Sequence, residues 1–195
     1  MAEPPPDSVF PPSVEAWREW LAANHGREEG VWLIRYRANA DRSNVSLEEA
    51  IRQALCFGWV DSLPRALDED RTLLYFAPRK TGSNWSRLNR DRVAELEAEG
   101  LLAPPGKRKI DAAKADGSWS ALDSVDRLEV PAELAAAFDR FPGSRGEWDS
   151  FPPSSRKAIL EWILNAKQAT TRAHRVEETA RLAQRGERAN QWRRR

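Results

Sequence analysis

Apolar positions recur at helical and strand spacing in turn over the first hundred residues, and at helical spacing alone further on. Ser13 opens a helix over 13–24, with Val14, Trp17, Trp20 and Leu21 on one face and Gly26 placed to stop it. Residues 31–36 are β-branched and aromatic and predict a strand. After a polar loop at 41–44, Ser46 and Glu49 form a capping box for a second helix, which runs through Ile51, Ala54, Leu55 and Phe57 to Gly58. Residues 59–67 and 72–76 predict a hairpin turning at 68–71, and Pro64 puts its first strand at a sheet edge. Ser86 starts a third helix, with Leu88, Val93 and Leu96 inward and Gly100 at its end.

Beyond Gly100 the pattern breaks at Pro104-Pro105-Gly106 and again at Asp116-Gly117-Ser118, with a short helix predicted between them over 108–115. Helices are then predicted over 131–141, 147–150, 154–167 and 170–186. The last carries a stripe of Ala169, Ala173, Val176, Ala180 and Ala183 suited to close packing. The expected organisation is a mobile arm at 1–12, which holds five prolines, an α+β domain at 13–100, a connecting segment at 101–130, a helical region at 131–188 and a basic tail at 189–195. The fold class is α+β: a small, mostly antiparallel sheet of about three strands with packed helices, followed by a C-terminal helical bundle.

Composition narrows the function classes. Hydrophobic residues make up 41% of the chain and charged residues 31%, with nine Trp, as in a globular protein with a real core. A formal net charge of +1 provides no global field for nucleic acid or an anionic membrane, so a dedicated nucleic-acid binder is not expected. Cys56 is the single cysteine, which excludes an intrachain disulfide and a multi-cysteine metal cluster. The N-terminal residues lack the apolar run of a secretory signal, and no apolar stretch approaches the ~20 residues of a membrane span, so a cytoplasmic protein is expected. With no phosphate loop and no GxGxxG, no cofactor is expected. His25 and His174 stand apart from other ligand-type residues, so neither a metal site nor a Ser-His-Asp triad is expected; His174 faces Glu178 one turn on.

The candidate chemistry lies in two Trp-bearing segments, 54–62 and 76–86. Cys56 falls on the last turn of a helix between Leu55 and Phe57, where the dipole disfavours a thiolate, so it reads as a core residue. Asp61 follows Trp59 directly and is either a salt-bridge partner of Arg79 or Arg65 that locks the hairpin, or a ligand contact; it is the one candidate general base. Arg79, Lys80, Ser83 and Asn84 precede a helix start whose free N–H groups suit a carboxylate or phosphate. Ser83 or Ser86 serves equally as a plain N-cap, with Trp85 as a staple. The resulting ligand-binding set is Trp59, Asp61, Arg79, Ser83, Asn84 and Trp85, for a small anionic ligand. The residues leave open whether the protein is an enzyme.

A second functional reading uses the C-terminal helix as a protein- or nucleic-acid-interaction module. Residues 172–195 hold eight basic and three acidic side chains, and Lys167, Thr171 and Arg175 share a face if the helix continues through Gln168. The segments 54–62, 76–89 (with Ser83-Asn84-Trp85-Ser86 and Asn89), 113–119, and 156–175 (with Ile159, Trp162, Ile163, Ala166, Lys167, Thr171, Arg172 and Arg175) together resemble the bacterial YdeI/OmpD-associated family over about residues 10–188. The last stretch is similar to that family's OmdA helical region. The resemblance implies bacteriocin protection or a stress response, and it implies no catalytic residues.

Overall fold

A computed structural model describes residues 3–191, so the terminal Arg193-Arg194-Arg195 of the expected basic tail lie outside the described residues. The chain divides into two compact units, Met1–Ala121 and Leu122–Arg195.

The first unit contains β1 (Ser8–Val9), α1 (Val14–Asn24), β2 (Val31–Tyr36), α2 (Leu47–Cys56), β3 (Trp59–Ala66), β4 (Arg71–Pro78), α3 (Arg87–Ala98) and α4 (Pro104–Asp116). The described strands form one sheet in the order β1-β2-β4-β3. β2, β4 and β3 pair antiparallel, as expected, while β1 adds a fourth strand, parallel to β2, with Ser8 opposite Trp32. The arm expected to be mobile therefore supplies two residues of backbone pairing. β3 lies at the edge, and its register slips between Asp61 and Pro64, where the proline cannot donate to the ladder.

Capping follows the local chemistry. The Ser13 hydroxyl accepts from Ala16 N, and Ser46 with Glu49 completes both halves of the capping box. Pro104 and Pro105, which break the pattern on paper, occupy the first turn of α4, where a missing N–H costs nothing. That helix is consequently longer than the 108–115 expected from the sequence. In α3 the inward stripe is Asn89, Val93 and Leu96, while Leu88 is 59% exposed and does not point inward as expected. Positions 89, 93 and 96 keep the helical interval, and 88 falls off it.

Leu33, Leu74, Phe76, Trp17, Leu21, Trp59 and Leu96 form the centre of this unit's core, all but Leu74 wholly buried. Trp17 stacks on Trp20 and donates its indole N–H to Ala50 O at 3.2 Å, tying α1 to α2. Each fully buried side chain of this size contributes roughly 2–3 kcal/mol.

The second unit comprises α5 (Asp123–Asp126), α6 (Ala132–Arg140), α7 (Ser144–Ser150), α8 (Pro153–Leu164) and α9 (Ala169–Ala183). Its core joins Leu134, Ala137, Trp148, Ile159, Ile163, Ala180 and Ala183. On α9 the buried stripe is Val176, Thr179, Ala180 and Ala183, while Ala169 and Ala173 are exposed. The chain breaks between α8 and α9, with Gln168 as N-cap, so Lys167 is outside the helix and the continuous face 167–171–175 does not form.

Candidate functional site

α2 stops because Gly58 adopts φ +78°, with its N–H returning to Leu55 O at 3.1 Å. β3 leaves directly from this stop, and Arg79 N donates to Gly58 O at 2.9 Å, bringing the end of β4 alongside. The Cys56 carbonyl accepts from Ala103 N at 3.1 Å, and Gly106 approaches it so closely that an added Cβ would lie 2.2 Å from the carbonyl oxygen. The 54–62 segment thus seats α4. Burial pushes the Cys56 thiol up, which fits a core residue.

Arg79 is the centre of the site. It is 5% exposed, with its guanidinium carbon 3.7 Å from the Trp85 ring centroid and Nη1 donating to Asn84 O at 3.0 Å. Its Nε is buried and has no hydrogen-bond partner among the described residues. Desolvation lowers its pKa to about 10 and the nearby Asp61 charge acts in the opposite direction, so the group stays cationic at neutral pH. Asp61 also favours the charged form of Arg92, after the dominant contribution of Glu48. Asp61 therefore serves two arginines as a countercharge, while Arg65 lies over the Trp32 ring at 4.6 Å.

The loop after Arg79 is largely satisfied from within. The Ser83 hydroxyl donates to Lys80 O at 2.7 Å, and Ser86 is the N-cap, accepting from Asn89 N. Gly82 N donates to Asp116 Oδ2 at 3.1 Å, Ser118 N donates to Asp116 Oδ1 at 2.9 Å, and Trp85 N donates to Ser118 O at 3.3 Å. An N–H that the sequence offers to an anion is taken by the chain's own carboxylate. The neighbouring Ser118 hydroxyl and backbone hold the Asp116 carboxyl below its usual range. That hydroxyl lies near Asp116 without well-formed hydrogen-bond geometry and is buried.

Arg79, Lys80, Ser83, Trp85, Lys109 and Ser118 line a depression of about 10 Å³. That is room for about one water-sized group. Of the six residues expected at the site, Arg79, Ser83 and Trp85 meet here, and Asn84 contributes its backbone carbonyl to Arg79. Trp59 is 0% exposed and packs edge-on against Trp20 at 5.8 Å, and neither it nor Asp61 lines the depression. Lys109, Asp116 and Ser118 are the members that sequence reasoning missed. The Asp116-Gly117-Ser118 turn was a local signal for Asp116 and Ser118, and nothing local shows that it closes on Gly82.

The described residues contain no cluster of His, Cys, Asp and Glu able to hold a metal, and none of their helices is long and apolar enough to cross a membrane. His174 pairs with Glu178 at 3.5 Å. The basic side chains of α9 are mostly engaged: Arg172 binds Glu133, and Arg175 donates to Trp162 O while lying over that indole.

The molecule is thus a two-unit α+β protein with a buried cationic centre in its first unit. By sequence comparison the chain belongs to the family described as "Domain of unknown function (DUF8412)", whose profile matches residues 9–109, more than half of the chain. Residues 127–186 match a second profile, "Bacteriocin-protection, YdeI or OmpD-Associated". The YdeI/OmpD likeness is therefore supported for the second unit, not over the whole span 10–188. Comparison with curated proteins and with solved structures gave no match.

Proposed function

We propose that this is a cytoplasmic binding protein of the YdeI/OmpD-associated kind, whose first unit takes a single anionic group, one oxygen of a carboxylate or phosphate, at the Arg79 depression. The observation that carries this reading is the orphaned Nε of Arg79, a buried donor on a cation, in a residue that lines a space of about 10 Å³. A buried charged donor without a partner is costly, so an acceptor there is favoured. The small volume restricts the buried part of the ligand to its anionic end, with the remainder over the exposed Lys80 and Thr81. Asp61 keeps the local charge balanced, and Trp85 fixes the guanidinium plane. The stress or antimicrobial-resistance role is read from the description of the matched C-terminal family alone. The alternative interaction module is less favoured, because Arg172 and Arg175 are already used within the second unit.

The test is a thermal-shift series with acetate, citrate and phosphate against sodium chloride of equal ionic strength. At least one anion should raise the melting temperature of the wild type, and Arg79→Lys should remove that rise. Equal curves for all salts would refute the proposal.

A further inference from the structure

The first unit carries a second concavity, of about 580 Å³, which shares only Lys80 with the Arg79 depression. That volume falls within the ~300–1,000 Å³ of small-molecule sites. Two of its walls are Trp32 and Tyr75, register partners on β2 and β4 whose ring centroids lie 5.0 Å apart at 57°. Tyr75 is seated by Gly30: a Cβ there would fall 2.5 Å from the tyrosine ring and 2.3 Å from Phe76 O. The seat therefore requires glycine, and it fixes the phenol as part of the wall.

The remaining lining sorts into two chemistries. Pro5, Pro6, Ala77 and Pro78 give apolar surface, and Asp7, Glu28 and Glu29 give carboxylates against the single cation Lys80. Arg27 reaches Asp7 at 4.0 Å, whereas the exposed Glu28 and Glu29 have no partner among the described residues. The Trp32 indole already holds one cation of the chain, the Arg65 guanidinium at 4.6 Å. No Ser, Thr, Asn or Gln lines the trough. Its side-chain acceptors are chiefly carboxylates, which match ammonium donors better than the neutral amides of a peptide backbone.

We propose that this trough binds an aliphatic polyamine, with ammonium groups at Glu28, Glu29 and the Trp32–Tyr75 faces and methylene runs along the prolines. Isothermal titration of the full chain with spermidine at low ionic strength tests it. One saturable site is expected. Glu28→Gln/Glu29→Gln, which changes only exposed side chains without partners, should weaken it by about tenfold, and Trp32→Leu by a similar factor of about ten. Arg79→Lys should leave spermidine binding unchanged, which separates this site from the anion site. Absence of saturable binding, or unchanged affinity in the Glu28/Glu29 variant, would overturn the proposal. So would tighter binding of a tetra-arginine peptide than of spermidine.

Discussion

Arg79 in the first unit and Arg175 in the second are built alike. Each lays a guanidinium on an indole, 3.7 Å from the Trp85 centroid and 4.8 Å from that of Trp162, and each donates to a backbone carbonyl, of Asn84 and Trp162 respectively. They differ in solvent. Arg175 is half-buried on a helical surface, whereas Arg79 is buried, has its pKa lowered by desolvation and keeps a donor without an acceptor. A cation–indole pair in water is a modest clamp, while the same pair taken out of water retains an unmet demand for an anion.

Truncation should separate the two most sharply. Arg79→Ala leaves a cavity against Trp85 and removes the hydrogen bond to the Asn84 carbonyl, and should destabilise the first unit by about 2–4 kcal/mol. Arg175→Ala should cost the second unit only about 0.5–1 kcal/mol. Hydrogen exchange read separately in the amides of α3 and α9 measures both. Similar losses would break the comparison.

Two helical glycines extend it to packing. Gly106 in α4 abuts the Cys56 carbonyl, so Gly106→Ala should cost about 1–3 kcal/mol through overpacking. Gly146 in α7 has open space around its Cβ position, and Gly146→Ala should gain about 0.5–1 kcal/mol from helix propensity. Denaturant midpoints of the two variants should move in opposite directions.

The smallest effect expected is in acid. Arg92 holds the Glu48 carboxyl below its ordinary value, while Glu133 is held down first by its own backbone N–H and then by Arg172. Because both folded pKa values are depressed, the stability they add is fully present above about pH 4.5 and is lost as pH falls through the lower folded values. Their side chains are 54% and 44% exposed, so solvent limits each pair to less than about 1 kcal/mol. Glu48→Gln and Glu133→Gln should each lower stability at pH 7 by less than about 1 kcal/mol and flatten the acid limb of a stability–pH curve slightly, with the variant and wild-type curves converging in acid.

Elements whose signals are local were legible in the sequence. The capping box at Ser46, the N-cap at Ser13, the 59–78 hairpin and the edge position of the strand containing Pro64 each depend on a few neighbouring residues. Leu88 has the hydrophobicity of an inward residue but not the interval, and the buried Asn89 shows that interval prevails in α3. The Pro104-Pro105 pair reads as a break until a helix begins on it. At the site, Arg79, Ser83 and Trp85 lie close in sequence and could be grouped. Asp116 and Ser118 join them only through the return of α4 onto Cys56, a tertiary contact with no local trace. Trp59 looked like a pocket wall because an aromatic residue beside an aspartate has the same signature in a core and in a cleft.

The claim that Arg79 is an anion anchor is tested most directly at its own Nε. In a ¹⁵N-labelled sample, the Arg79 Nε–Hε resonance can be assigned by its loss in Arg79→Lys and followed as acetate or phosphate is added at constant ionic strength. A saturable shift of that resonance is predicted. A resonance that stays in place while anion is added to excess would contradict the account.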